Sequence, residues 1–134
     1  LEQIDISMEI SSEFPFSNDV WPSDITFTLN GTELGTWTSP GDFADTRGKL
    51  NPSWWPSNLN QYGLLKTLRV THHGTYMDGD PLSQVSISDL NKTAETWEIR
   101  IEVKPDAENV GGVTLFGKKF GNHDQDINFK AYYS

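Results

Sequence analysis

Apolar and polar residues alternate at the start of the chain. Ile4, Ile6, Met8 and Ile10 stand at every second position, and Asp5, Ser7, Glu9 and Ser11 stand between them. A period of two is the pattern of a β-strand that buries one face. Further segments show the same alternation or a short apolar run, and the pattern predicts strands there: 25–29, 32–38, 64–71, 85–87, 97–103, 113–116 and 127–131.

Turn residues separate these segments. Asn30-Gly31 joins two of them and predicts a tight hairpin, because a type I′ turn needs positive φ at both positions. Residues 88–91 are expected to form one helical turn, and no longer helix is predicted. Half-apolar sheets must cover each other, so the fold class predicted is an all-β sandwich of jelly-roll or galactose-binding-like type, with eight or nine strands. Because the sequence contains no recognisable linker or internal repeat, residues 1–134 are expected to form a single domain.

One long segment, 39–61, has no periodicity. It contains three prolines and the adjacent pair Trp54-Trp55. Loops of this length are usually functional or disordered, and two neighbouring tryptophans argue against disorder. Aromatic rings stack on the C–H face of a sugar while polar side chains bind its hydroxyls. The candidate ligand-binding residues are Trp54, Trp55 and Tyr62 for stacking, with Asp42, Arg47, Lys49 and Gln61 for polar contacts. The alternative is that the loop folds back and fills the sandwich with both tryptophan rings.

Charge and cysteine content exclude several classes of function. Asp and Glu number 19 against 10 Lys and Arg, which gives a net charge of −9. Direct contact with nucleic acid or with an anionic membrane surface is therefore not expected. The absence of cysteine excludes disulfides, zinc–thiolate sites and cysteine nucleophiles. No apolar run approaches the roughly 18 residues of a membrane span.

Candidate metal and catalytic motifs are sparse. Asp78-Gly79-Asp80 and Asp124-Gln125-Asp126 offer oxygen pairs that suit a structural Ca²⁺, although ordinary Asp-rich turns are the preferred explanation. On a strand, His72 and His73 would point to opposite faces and could not chelate one ion. The run 112–119 resembles a phosphate-binding loop, but Lys119 stands where a hydroxyl residue is needed. With no nucleophile elbow either, we expect neither an enzyme nor a cofactor.

Several longer runs resemble the C-terminal half of a group of bacterial ArsR-like transcriptional regulators with a winged-helix domain. They are Asn18–Phe27, Asn30–Phe43, Trp54–Pro56, Gln61–Lys66 and Asp106–Gly112, and the resemblance covers essentially the whole chain. It implies that a DNA-binding domain precedes this segment. The start at Leu1 without Met predicts either a piece of a longer protein or a mature chain after processing. No ligand or catalytic residues are carried over from that group. Relatives that sense metals use cysteine thiolates, which this chain lacks.

These considerations predict a cytoplasmic effector-binding domain of a transcriptional regulator. Its ligand would be a carbohydrate or a similar polar metabolite. Binding would shift the affinity of a homodimer for operator DNA, which the missing N-terminal domain would contact. One alternative is a carbohydrate-binding module of a secreted polysaccharide-degrading enzyme. Another is a dimerisation domain without a ligand.

Overall fold

The computed structural model describes residues 1–13, 22–41, 43–57 and 59–134, without the side chain of Glu13. Its regular secondary structure is almost entirely β-strand. The strands are β1 (Gln3–Glu13), β2 (Ser23–Leu29), β3 (Thr32–Ser39), β4 (Leu64–Val70), β5 (Thr75–Met77), β6 (Asp80–Ser83), β7 (Ile99–Val103), β8 (Gly112–Phe116) and β9 (Asn128–Tyr132). The predicted all-β sandwich of eight or nine strands is confirmed.

The strands form two antiparallel sheets. The larger sheet has the order β6-β5-β4-β1-β8, and β9 also pairs with β1. The smaller sheet has the order β3-β2-β7. Strand β1 organises the larger sheet because its 11 residues are long enough for two partners on one edge. Residues 3–7 of β1 pair with β9, residues 9–13 pair with β8, and residues 4–10 pair with β4 on the other edge.

The hydrophobic core lies between the sheets and follows the predicted alternation. Ile4, Ile6 and Ile10 of β1 are fully buried, as are Ile25 and Phe27 of β2. Burial of each such side chain contributes roughly 1.5–3 kcal/mol. The predicted hairpin is also present, with Asn30 at φ 48° and Gly31 at φ 82°. The pairing of β2 with β3 therefore follows from local sequence.

The segment between β6 and β7 differs from the prediction. Residues 85–87 do not form a strand; a 3₁₀ turn spans Ile87–Asp89 instead, one residue before the expected helical turn. The turn buries Ile87 and Leu90 together, and the Leu90 N–H donates to the Ile87 carbonyl at 3.2 Å. The strand expected from Trp97 begins only at Ile99, the first residue that pairs with β2. The alternation of only two apolar residues, Val85 and Ile87, is too short a pattern to distinguish a strand from a 3₁₀ turn.

The outer face of the larger sheet is not uniformly exposed. Side chains of β1 that point away from the core include Glu9 and Ser11, both with 0% exposure. Segments 43–57, 59–62 and 117–127 lie over this end of the face, and Phe116 of β8 is buried beneath them at 5% exposure. The covered end is where the candidate site is built, while the end near Asp5 and Ser7 stays open to a groove.

Candidate ligand-binding site

Three aromatic rings, Trp54, Trp55 and Phe120, meet above the covered end of the larger sheet; we call them the aromatic cluster. The ring centroids of Trp54 and Trp55 are 5.8 Å apart, and Phe120 lies 6.5 Å from Trp54 and 5.6 Å from Trp55. Trp54 keeps 69% of its surface exposed. Neither tryptophan belongs to the core between the sheets. The loop thus folds back over the sheet, but its rings lie outside the sandwich.

A small cavity of about 200 Å³ opens beside the aromatic cluster. Trp55 and Phe120 line it together with β8 and the following glycine, over residues 114–117. A second hollow of about 360 Å³ shares Leu115, Phe116 and Gly117 with it and extends to Asp126 and Ile127. The walls are mainly apolar, with polar groups at Thr114 and Asp126. Such a surface suits a ligand that has an apolar face and a polar edge.

The turn that carries the tryptophans is held by Arg47. Its guanidinium donates to the Pro52 carbonyl at 2.5 Å and to the Trp55 carbonyl at 3.2 Å. The Trp55 N–H also donates to the Pro52 carbonyl, and the Trp55 indole N–H donates to the Asn60 carbonyl at 2.8 Å. These bonds fix the orientation of Trp55. Within the described part of the chain, the remaining N–H groups of the exposed Arg47 side chain have no partner, so they are available to a ligand at this turn.

Gln61 is a structural member of the loop. Its side chain is 1% exposed, and its amide donates to the carbonyls of Pro56 and Leu59 at 2.7 and 3.1 Å. Its Oε1 accepts from the Gly48 N–H and from the side chain of Asn51. Because both the oxygen and the nitrogen of its amide form hydrogen bonds within the loop, Gln61 stabilises the loop that carries the tryptophans.

The other candidate residues lie elsewhere along the loop. Tyr62 stacks on Phe43 with centroids 5.2 Å apart, and its hydroxyl donates to Asp45 at 2.6 Å. That hydrogen bond holds the pKa of Asp45 below its usual value. Lys49 is exposed, and its backbone N–H donates to the side chain of Asn122. Asp42 lies outside the described residues. Of the predicted residues that the structure describes, Trp54, Trp55 and Arg47 are joined by direct contacts.

A buried carboxylate ties the site to the sheet. Glu9 is 0% exposed and accepts backbone N–H groups from Gly63 at 2.8 Å, Asn122 at 3.0 Å and His123 at 2.9 Å. A buried carboxylate needs such donors, because an unpaired buried charge is very costly. Gly63 lies at the end of the loop that carries Trp54 and Trp55, and Asn122 lies two residues after Phe120. One side chain of β1 thus holds both segments that build the aromatic cluster.

The two segments are also bonded to each other. The Leu50 N–H donates to the Gly121 carbonyl at 2.8 Å, and the Gly121 N–H donates to the Asn51 side chain at 2.6 Å. Asn51 in turn donates to the Gln61 carbonyl at 2.7 Å. This chain of contacts brings Phe120, distant in sequence, next to Trp54 and Trp55.

Sequence reasoning missed Phe120 and Glu9. Phe120 had a usable signal, since it is a lone aromatic residue between Lys119 and Gly121 in a polar turn. Glu9 had none, because a carboxylate on the polar face of an alternating strand usually faces water. Its burial depends on loops that arrive from the middle and the end of the chain.

Aspartates of both pairs accept hydrogen bonds from backbone N–H groups. Asp126 accepts the Lys118 N–H at 3.0 Å, and Asp124 accepts the Lys119 N–H at 3.3 Å. Asp78 accepts the Thr67 N–H at 2.8 Å. Across the described ranges, no group of three or more His, Asp or Glu side chains is placed to hold a metal ion.

His72 and His73 lie in the turn between β4 and β5 rather than on a strand. Nε2 of His72 is 3.3 Å from a carboxylate oxygen of Glu2. Both histidines border a groove at the open end of the larger sheet.

In the portion of the chain that the structure describes, no helix has the length and apolar character to cross a membrane. Comparison of the chain with protein-family models, with curated proteins and with solved structures gives no match.

Proposed function

We propose that this chain is a non-catalytic saccharide-binding domain and that the aromatic cluster is its stacking surface. The observation that carries the proposal is Trp54, whose indole is 69% exposed while Trp55 and Phe120 support it from the side. An indole held in water by a bonded framework is typical of a binding surface, because large aromatic side chains otherwise tend to be buried.

The surroundings of Trp54 favour a sugar over other ligands. The cavity of about 200 Å³ beside Trp55 and Phe120 accepts part of one small ring. Its apolar walls match the C–H face of a pyranose, and the free N–H groups of Arg47 match its hydroxyls. A polyanion is disfavoured because the chain carries a net charge of −9.

In the regulator that the resemblance implies, the saccharide is the effector. It acts by binding one state of a homodimer better than the other, which changes the affinity of the preceding winged-helix domain for DNA. A carbohydrate-binding module of a secreted enzyme would use the same surface with a different partner. The two are distinguished by the preceding segment of the full-length protein, which is a winged-helix domain in one case and a signal peptide with a catalytic domain in the other.

Dimerisation is a second candidate function, and strand β9 favours it. All five residues of β9 are exposed, and it pairs with β1 alone among the described strands. Phe129, Ile127 and Leu115 leave 42%, 41% and 41% of their surfaces uncovered along this side. A free strand edge with apolar side chains can pair with a second copy. Measurement of the mass in solution tests this, and a monomer at high concentration for the full-length protein would contradict it.

The saccharide proposal is tested by isothermal titration of the chain with monosaccharides and with glucose, xylose and N-acetylglucosamine oligomers. We expect at least one series to bind, and Trp54→Ala to weaken its binding about tenfold, which corresponds to about 1.4 kcal/mol. Tyr133→Ala is the matched control, since Tyr133 is similarly exposed at 73%. Binding that is unchanged in a folded Trp54→Ala variant, or no binding of any series, would overturn the proposal.

A further inference from the structure

A second pair of aromatic side chains, Tyr76 and Tyr132, lines a groove at the open end of the larger sheet. The groove has a volume of about 520 Å³ and is also bordered by Glu2, Gln3 and His72. Tyr132 is 44% exposed, and Tyr76 is partly exposed. Within the described ranges, neither phenol hydroxyl has a hydrogen-bond partner in the protein. Two rings with free hydroxyls can stack on a ligand and hydrogen bond to it.

The groove and the aromatic cluster occupy opposite ends of one face. Gln3 pairs with Tyr132, and Glu9 pairs with Phe116 beneath the aromatic cluster. Residues 3 and 9 both point away from the core, because Ile4, Ile6, Met8 and Ile10 are the β1 residues that pack between the sheets. Six residues of strand separate the two ends by roughly 20 Å.

Hydrogen-bonding side chains fill the space between the two ends. The rung nearest the groove runs across four strands through Tyr76, Arg69, Asp5 and Lys130. The next rung contains Ser7 and Thr67, whose hydroxyls lie 3.0 Å apart. A hollow of about 410 Å³ beside Thr67 and Arg69 belongs to the same face. The face therefore offers donors and acceptors along its length.

The open end carries charges of both signs. Arg69 binds both carboxylate oxygens of Asp5, at 2.8 and 2.9 Å. Lys130 lies on the same rung as Asp5, and Glu2 lies at the groove. Since Arg69 neutralises Asp5 and both acidic and basic side chains are present, the face suits a neutral hydroxylated chain better than a polyanion or a polycation.

From this arrangement we infer that the ligand is an extended neutral oligosaccharide that spans the outer face of the larger sheet. One end stacks on the aromatic cluster and the other on Tyr76 and Tyr132. The inference rests on the proposed function, and it adds a second subsite and a minimum length to the ligand. A single sugar can occupy only one end, so affinity must rise with chain length until both ends are engaged.

The test is titration calorimetry with the oligomer series that binds, from the monomer to the hexamer. We expect the hexamer to bind at least tenfold more tightly than the monomer. Tyr132→Ala and Tyr76→Ala should each remove most of this gain, so that the hexamer then binds little more tightly than the monomer. Tyr133→Ala, one residue further along and outside the groove, should change neither affinity.

Conservative variants test whether a loss of binding could result from misfolding. Tyr132→Phe and Tyr76→Phe keep the packing of the ring and remove only the hydroxyl, so each should weaken hexamer binding about threefold. Circular dichroism and the melting temperature establish that every variant is folded.

The outcomes separate the two proposals. Equal affinity for monomer and hexamer, with Trp54→Ala still deleterious, would overturn the extended ligand and leave the stacking surface intact. The same follows if Tyr132→Ala weakens the monomer and the hexamer equally. If no oligomer binds, or if Trp54→Ala has no effect, the proposed function itself fails.

Discussion

Gly121 lies directly against the carboxylate of Glu9. Its backbone adopts φ +68°, and a β-carbon at this position would overlap the Glu9 side-chain oxygens. The close approach lets the N–H groups of the following residues, Asn122 and His123, reach Glu9. Strand β1 therefore supports the core with one face and the aromatic cluster with the other. Stability of the fold and geometry of the site are coupled through this contact.

Glu9→Gln should destabilise the protein. The substitution preserves the shape but turns an amide toward backbone N–H groups that now donate to a carboxylate, and hydrogen bonds to charged groups contribute roughly 1.5–3 kcal/mol. We expect a loss of at least about 2 kcal/mol in the free energy of unfolding, measured with urea. Glu98→Gln, at an exposed position, should change it by less than about 0.5 kcal/mol. Equal stability of both variants would show that Glu9 is not the anchor.

Comparing Gly121→Ala with Gly79→Ala separates two costs of adding a β-carbon. One is the strain of a positive φ, and the other is the overlap with Glu9. Both glycines have positive φ, at +68° and +87°, but nothing lies within 4 Å of the β-carbon position at Gly79. Gly79→Ala should cost about 1 kcal/mol from φ alone. Gly121→Ala should cost clearly more, because Glu9 must also move. Thermal unfolding measures the difference, and equal melting temperatures would contradict the contact between Gly121 and Glu9.

The two adjacent tryptophans should differ in their effect on stability. Trp54 is mostly exposed, so Trp54→Ala should change the free energy of unfolding by less than about 0.5 kcal/mol. Trp55 donates its indole N–H to Asn60 and packs on Phe120, so Trp55→Ala should cost about 1–3 kcal/mol. Urea denaturation of both variants is the measurement. A larger loss for Trp54→Ala would contradict the placement of the two rings.

The pair Asp5 and Arg69 predicts a pH dependence of stability. The hydrogen bond from Arg69 is the main reason that the pKa of Asp5 is lowered from its usual 3.8. A lowered pKa in the folded state contributes stability above the unfolded value, and this contribution is lost as the pH falls through the folded value. We expect Asp5→Asn to be less stable than the wild type at pH 7, by up to about 1 kcal/mol, because the Arg69 side chain of the pair is half-exposed and solvent screens the interaction.

The difference between Asp5→Asn and the wild type should shrink below about pH 4 and disappear once Asp5 is protonated. Urea titrations at neutral and acidic pH measure it. The exposed variant Asp106→Asn provides the reference for a general effect of removing one negative charge. A difference that stays constant with pH would mean that the pair does not stabilise the fold through ionisation.

Most of the sandwich could be predicted from the sequence by itself. The alternation in β1 and β2 indicates which faces are buried, and Asn30-Gly31 determines a hairpin, because both signals act between neighbouring residues. The short β5–β6 hairpin was not predicted, and the helical turn predicted at residues 88–91 lies at Ile87–Asp89. Their few apolar residues fit more than one local state, and packing selected among them.

The candidate site could be predicted only in part. Trp54-Trp55 in an aperiodic segment pointed to the correct loop, since adjacent tryptophans in a polar loop are a local signal. The partner ring Phe120, the anchor Glu9 and the inward-facing amide of Gln61 were decided by the tertiary structure. The contacts of Phe120 and Glu9 join positions between 54 and 114 residues apart in the chain. Hydrophobic periodicity cannot report contacts at that separation, and only the folded sheet brings them together.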